Sequence, residues 1–257
     1  MSSLKALLFD VDGTLADTER DGHRIAFNRA FADAGLDWQW SEQLYGRLLV
    51  ISGGKERMEY YLRNYVAHGE PDPQLLALIP KLHTTKNRYY WDMLERGEIG
   101  LRPGVARLLR AARSAGLRLA IATTTTGTNV STLLRSTLGE ESLGWFELMA
   151  TADEVSDKKP SPAVYEYCLD HLGLAAHECL AFEDSENGMA ATRAAGIPVL
   201  ITVNDYTRDG DYRDAELVVE SLGEPQAPTR VLGGRAAARV AASVTVDLDL
   251  LRTLRAS

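Results

Sequence analysis

The sequence predicts an α/β fold, a doubly wound parallel sheet interrupted after its first strand by an inserted helical cap domain. Three observations point there. Short apolar runs recur along the chain and stop at polar residues, and helical patterns fill the gaps between them. Between Leu15 and about Glu98 the strand-like runs disappear. A chain of 257 residues has the length of one or two domains and can bury a core without disulfide or metal staples.

The runs are Leu4 to Phe9, Leu117 to Ala122, Phe146 to Ala150, Cys179 to Phe182, Ile197 to Val203 and Leu217 to Val219. Continuous apolar character, without alternation, is the pattern of strands covered by helices on both faces. Helices are expected from Val105 to Ala115, Pro160 to Leu174 and Gly188 to Ala195, stopping near Gly116, Gly173 and Gly196. In the insert, Ala26, Phe27, Ala30, Phe31 and Ala34 share one helical face, and Met58, Tyr61, Leu62 and Tyr65 share another. Leu75 to Leu94 continues helically past Pro80. The division expected is therefore an α/β core of residues 1–16 and 99–257 and a helical cap of residues 17–98. After about Thr207 only one strand and a final helix can be read.

Composition narrows the function classes. Lys and Arg number 28 against 36 Asp and Glu, a net charge of -8 that argues against broad binding to nucleic acid or anionic membrane. A phosphate-bearing ligand must then be held by a local cationic cluster or a metal. Cys168 and Cys179 lie among apolar neighbours with no CxxC spacing and read as packing residues. No apolar run approaches the length of a membrane span or a signal peptide, so a cytoplasmic protein, with no membrane partner, is expected.

The chemistry-bearing residues sit at the ends of expected strands, where α/β sheets bind ligands. The first strand runs into Asp10-Val11-Asp12-Gly13-Thr14, and residues two apart on a strand point the same way. The second ends in Thr123-Thr124-Thr125-Thr126, which offers hydroxyls and free backbone N–H groups to phosphate oxygens. Lys159 stands beside Pro160, a residue suited to a first helical turn. The fourth ends in Glu183-Asp184-Ser185, carboxylates fit for a hard cation. Each feature alone is weak, since threonine runs are usually loops and Asp-Ser pairs usually caps. Four in this order are specific.

This set resembles the haloacid dehalogenase superfamily of aspartate-nucleophile phosphohydrolases and, more narrowly, its CbbY branch, related to β-phosphoglucomutase. Closer cues are Asp17-Thr18-Glu19, His23-Arg24, Gly53-Gly54-Lys55-Glu56-Arg57, Lys158-Lys159-Pro160 and Glu183-Asp184-Ser185 with Asn187-Gly188. The resemblance implies a Rossmann-like core and an Mg²⁺-dependent phosphatase that converts xylulose 1,5-bisphosphate, a Rubisco inhibitor, to xylulose 5-phosphate in the setting of the Calvin cycle. It implies Asp10 as nucleophile, Asp12 as general acid and base, and Thr123 and Lys159 as holders of the phosphoryl oxygens. Mg²⁺ would sit on the Asp10 and Asp184 side chains and the Asp12 carbonyl, with Glu183 assisting. Glu19, Gly53, Gly54, Lys55, Glu56, Arg57, His83, Lys86, Thr124 and Thr125 would bind a small sugar bisphosphate, under a cap acting as a lid. A monomer is expected. His23 reads as a packing or hinge residue.

Two competing readings use the same residue types. A mutase of the β-phosphoglucomutase kind would return the phosphoryl group to substrate instead of water, and the Gly-Gly-Lys-Glu-Arg stretch favours the phosphatase. A phospho-accepting receiver module would be a shorter single domain with no cationic cap.

Overall fold

The computed structural model describes residues 4–51, 53–67 and 69–255. The chain divides into two compact units: Thr18–Ile99, and the remainder of the chain on either side of it.

The larger unit is built on an eight-stranded sheet: β1 (Ala6–Phe9), β2 (Arg118–Ala122), β3 (Leu148–Ala150), β4 (Cys179–Glu183), β5 (Val199–Thr202), β6 (Leu217–Val219), β7 (Thr229–Gly233) and β8 (Ser243–Val244). The order across the sheet is β3-β2-β1-β4-β5-β6-β7-β8, and the pairs from β3 through β6 are parallel. β1, β4, β5 and β6 are buried at every residue. That burial explains why these strands read as unbroken apolar runs. Chain order reverses between β1 and β4, so the crevice at their carboxyl ends is the topological switch point. Phe9 and Phe182 stack across this pair with ring centroids 4.4 Å apart, which keeps the two strand ends level.

Three details of the expected fold need correction. The sheet is mixed: β7 and β8 run antiparallel beyond β6, where only one strand was expected after Thr207. β7 alternates buried and exposed residues, as a half-covered edge does, and its Thr229-Arg230-Val231-Leu232-Gly233 has no apolar run to reveal it. The helix expected at Pro160 starts at Ala163, with Pro162 as its N-cap, and the Lys159–Pro160 bond is cis. A residue preceding proline is steered away from helical backbone, so Ser161 before Pro162 delays the start. The helices of this unit, in chain order, are α5 (Val105–Ser114), α6 (Gly127–Leu138), α7 (Ala163–Leu172), α8 (Glu186–Ala194) and α9 (Leu248–Arg255). α8 begins two residues before the expected Gly188, because Ser185 caps it through the Gly188 N–H. Cys168 and Cys179 are free and buried.

The second unit is helical: a π-helical turn at Glu19–His23, then α1 (Arg24–Asp33), α2 (Glu42–Leu48), α3 (Gly54–Tyr61) and α4 (Pro73–Glu95), with a further π-helical turn at Leu62–Val66. Its core is aromatic. Trp40 packs against Phe27 at 4.7 Å and Phe31 at 5.0 Å, and its backbone exchanges hydrogen bonds with the Asn28 side chain. Pro80 lies inside α4 without ending it. Among the described residues no helix is long and apolar enough to cross a membrane.

Candidate active site

Strand register brings Asp10, Glu183 and Asp184 together. β1 pairs with β4 so that Phe9 faces Phe182, and the Asp10 N–H donates to the Phe182 carbonyl at 3.0 Å. The residues just past each strand are thereby held level. Oxygens of Asp10, Glu183 and Asp184 all lie within 4.8 Å of one another, and all three residues are buried. Lys159 Nζ donates to Asp10 Oδ1 at 2.7 Å and to the Ala122 carbonyl at 2.8 Å, and pairs with Glu183 Oε1 at 2.5 Å. These contacts occupy the three donors of an ammonium. Thr14 Oγ1 donates to the other Asp10 oxygen at 3.2 Å. Asp12 is half-buried and its backbone bridges to Ala16. Its side chain lies outside the three-carboxylate cluster.

The charge balance is uneven. Burial pushes the Asp184 carboxyl well above its ordinary range, the Asp10 and Glu183 charges push it further, and the amide of Asn204, 2.7 Å from Asp184 Oδ2, pulls the other way. Burial likewise pushes Glu183 up to about 7, against the pull of Lys159. Burial would depress Lys159, but the facing Asp10 and Glu183 charges outweigh it and hold its pKa above the ordinary lysine value. Lys159 pairs with two of the three converging carboxyls and the Arg102 charge only eases Asp184, so the cluster is short of positive charge. An all-oxygen, buried donor set suits a hard divalent ion.

Thr123 is buried at the end of β2, but its backbone N–H donates to the Ala150 carbonyl at 3.0 Å, which corrects the expectation that this amide is free for phosphate. Sheet pairing with β3 takes it, since the ladder continues one residue past the strand. Among the described residues the Thr124 N–H has no hydrogen-bond partner. Thr125 is engaged locally: its N–H donates to Thr123 Oγ1 at 3.3 Å and its hydroxyl accepts from Asn129.

The second unit holds its own cluster. Gly53, at φ +92°, precedes α3, and a Cβ on Gly54 would lie 2.9 Å from the His83 ring, so this turn needs glycine to approach α4. Glu56 folds its carboxylate over Gly53. Lys55 is exposed. Arg57 is buried, its Nε shared by the Leu48 and Ile51 carbonyls at 3.2 and 3.3 Å. Its Nη1 donates to the Tyr45 hydroxyl at 2.9 Å, and that hydroxyl donates to Glu19 at 2.5 Å. Lys86 Nζ, buried over the Phe27 and Tyr90 rings, donates to His23 Nδ1 at 2.8 Å. That contact fixes Nδ1 as an acceptor and the ring as neutral. Burial holds the His23 pKa well below its ordinary value, and Lys86, Arg57 and His83 add to the effect. An unfolded His23 takes a proton near pH 6.5 while the folded one does not, so stability falls as pH falls through 6.5 towards the folded value. On going from pH 7 to pH 5, stability to urea is expected to change less favourably in wild type than in His23→Gln, which lacks this contribution; equal changes would remove this account.

Several participants escaped the sequence reading: Asn204, Tyr165, Tyr45 and Arg102. Tyr165 donates to Glu183 from α7, where it reads as one more apolar helix residue. A buried tyrosine hydroxyl needs a partner, which was the available signal. Asn204 lies two residues past the end of β5, and the rule that ligands gather past the strand ends could have found it.

A hydrolase model, the haloacid dehalogenase-like hydrolase, matches residues 4–196. The chain belongs to the haloacid dehalogenase-like hydrolase family. Within it the hydrolase is of CbbY type: it is 46% identical over 225 residues to a plasmid CbbY protein of Cupriavidus necator, covering 88% of each chain. A CbbY protein of Rhodobacter capsulatus is 48% identical, over 85% of this chain and 94% of that one. The crystal structure of a CbbY mutant from Rhodobacter sphaeroides in complex with xylulose 1,5-bisphosphate matches with a TM-score of 0.74 and 40% identity, covering 91% of this chain and 98% of that one. The hydrolase is therefore a phosphatase, and the carboxylate cluster lies in the strand-end crevice that its fold uses for ligands.

Proposed function

We propose that this phosphatase hydrolyses a sugar bisphosphate, xylulose 1,5-bisphosphate to xylulose 5-phosphate, through an aspartyl phosphate on Asp10 and with Mg²⁺. The observation that carries the reading is the convergence of Asp10, Glu183 and Asp184 within 4.8 Å, with the Lys159 ammonium paired to Asp10 and Glu183. Asp10 would attack phosphorus, and Thr14 and Lys159, each on a different carboxylate oxygen, limit its rotation. Asp12 would protonate the departing sugar oxygen and then deprotonate the water that cleaves the acyl phosphate. Lys159 would give one of its three contacts to a phosphoryl oxygen, with the Thr123 hydroxyl and the Thr124 N–H as further donors. Asp10 and Asp184 side chains and the Asp12 carbonyl would hold Mg²⁺, with Glu183 behind them. Bound there, the ion would offset the repulsion between carboxylate and phosphate.

The xylulose bisphosphate complex of the Rhodobacter sphaeroides relative supports this substrate. A second phosphate needs further cations, and the second unit carries Lys55, Arg57 and Lys86; His83, whose pKa burial and the Lys86 and Lys55 charges lower, would serve as a neutral donor beside the Gly53-Gly54 turn. Glu19 would accept from sugar hydroxyls. A Rubisco-protecting, cytoplasmic role follows from that substrate. The test is inorganic phosphate release across sugar mono- and bisphosphates with and without Mg²⁺. Release from xylulose 1,5-bisphosphate above the rest is expected; isomerised sugar phosphate without free phosphate would indicate a mutase. Lys55→Ala is expected to raise KM for the bisphosphate roughly fivefold, as for one partly screened charge-assisted contact, and to leave a monophosphate unaffected.

A further inference from the structure

We infer that Arg102 is a positioning residue that sets both sides of the carboxylate centre, an inference resting on the phosphatase reading above. Arg102 follows the return of the chain from the second unit and is 7% exposed. Its guanidinium collects acceptors from separate segments. Nη1 donates to the Gly13 carbonyl, to the Thr202 carbonyl at 2.8 Å and to Thr202 Oγ1 at 3.0 Å. Nη2 donates to the carbonyls of Val203 at 2.5 Å and Glu220 at 2.8 Å. Nε pairs with Asp17 at 3.2 Å.

Two of these contacts lead to the centre by short covalent paths. Gly13 O belongs to the peptide entering Thr14, and the Thr14 hydroxyl holds Asp10 Oδ2. Val203 O belongs to the peptide entering Asn204, and the Asn204 amide holds Asp184 Oδ2. One planar group thus fixes the two peptides that aim the donors of Asp10 and Asp184. The fit between these peptides is tight. A Cβ on Gly13, at φ +85°, would stand 2.2 Å from Asp184 Oδ2 and 2.7 Å from Asn204 Nδ2. Only a guanidinium presents several donors in one rigid plane, so lysine cannot reproduce the contacts.

The experiment compares wild type with Arg102→Lys and Arg102→Met. It measures kcat and KM by phosphate release from xylulose 1,5-bisphosphate and p-nitrophenyl phosphate. It also measures the rise in melting temperature produced by Mg²⁺ alone. Misplaced carboxylates should cost roughly 10- to 100-fold in kcat with KM held within about threefold. The Mg²⁺-induced rise should shrink in both variants. A purely structural role would lower the metal-free melting temperature and leave kcat and the Mg²⁺ response at wild-type values, and that result overturns the inference. Thr202→Val, which removes one acceptor and no charge, serves if the arginine variants do not fold: a threefold or greater fall in kcat, or a smaller Mg²⁺ response, is expected as for loss of one contact, and no change in either overturns it. Failure of the functional reading would show separately, as a wild-type protein that responds to Mg²⁺ but releases no phosphate.

Discussion

Asp10→Asn should abolish turnover, by about 10⁴-fold or more, while leaving the protein folded and more stable in the absence of metal. The first half follows from chemistry. An amide has the shape of the carboxylate but not its nucleophilicity, and removing a covalent nucleophile ranks among the costliest single substitutions in an enzyme. The second half follows from the charge balance. Asp10 contributes to the raised pKa of both Asp184 and Glu183, so its loss brings both carboxyls back towards ordinary values and relieves a buried repulsion. The amide oxygen can still accept from Lys159, and Thr14 can still bond the other position. Phosphate release and melting in EDTA read the two halves independently. A variant with near-normal turnover would remove Asp10 as nucleophile; one that melts below wild type would remove the electrostatic account.

The second large effect is expected from Lys159→Met. The side chain is apolar and close in length, so the packing cost is small, but the cation paired with Asp10 and Glu183 disappears. Loss of an electrostatic donor to the transition state costs about 10²- to 10³-fold in kcat. Stability should acquire a steeper pH dependence as well. In the metal-free wild type, Glu183 is pushed up to about 7, whereas an unfolded glutamate ionises near 4.3. Between those values folded Glu183 holds a proton that the unfolded glutamate does not, so the contribution of this carboxyl to stability falls as pH rises through the window. Lys159 now draws Glu183 down. Without it the fall should deepen and extend to higher pH. Melting in EDTA at pH 5.5 and 8.5 would show a larger loss for the variant; parallel behaviour of the two proteins would count against the pairing drawn here.

Much of this geometry was legible in the residues because it is written in local sequence. A buried parallel strand leaves an unbroken apolar run, and the polar residue that ends it must lie at the sheet edge. Asp10, Thr123, Glu183 and Asp184 were placed by that logic alone. Lys159 was found by its neighbours, although the helix after it starts later than Pro160 suggested. The commitment of the Thr123 N–H to Ala150 was invisible, because it depends on the register of β2 against β3. Asn204, Tyr165 and Arg102 were missed for a related reason. Each acts through a partner on another segment, 18 residues away for Tyr165, 20 for Asn204 and 100 for Arg102 with Thr202; the first two carried the signals noted above, but no local pattern encodes the pairings themselves. Arg57 was expected as a substrate-phosphate ligand because its Gly-Gly-Lys-Glu-Arg stretch resembles the family's. Its bonds to Leu48, Ile51 and Tyr45 show that it braces the loop between α2 and α3.

The antiparallel pair at the end of the sheet has a consequence for solubility. A parallel sheet that stopped at β6 would present Leu217–Val219, an apolar strand, with one row of amides and carbonyls open to any passing chain. β7 takes those groups, and β8, only two residues long, closes the row with little left to extend. The opposite border is β3, three residues long. Both margins are too short to template another strand, which guards the aliphatic inner strands against edge-to-edge joining with a second sheet.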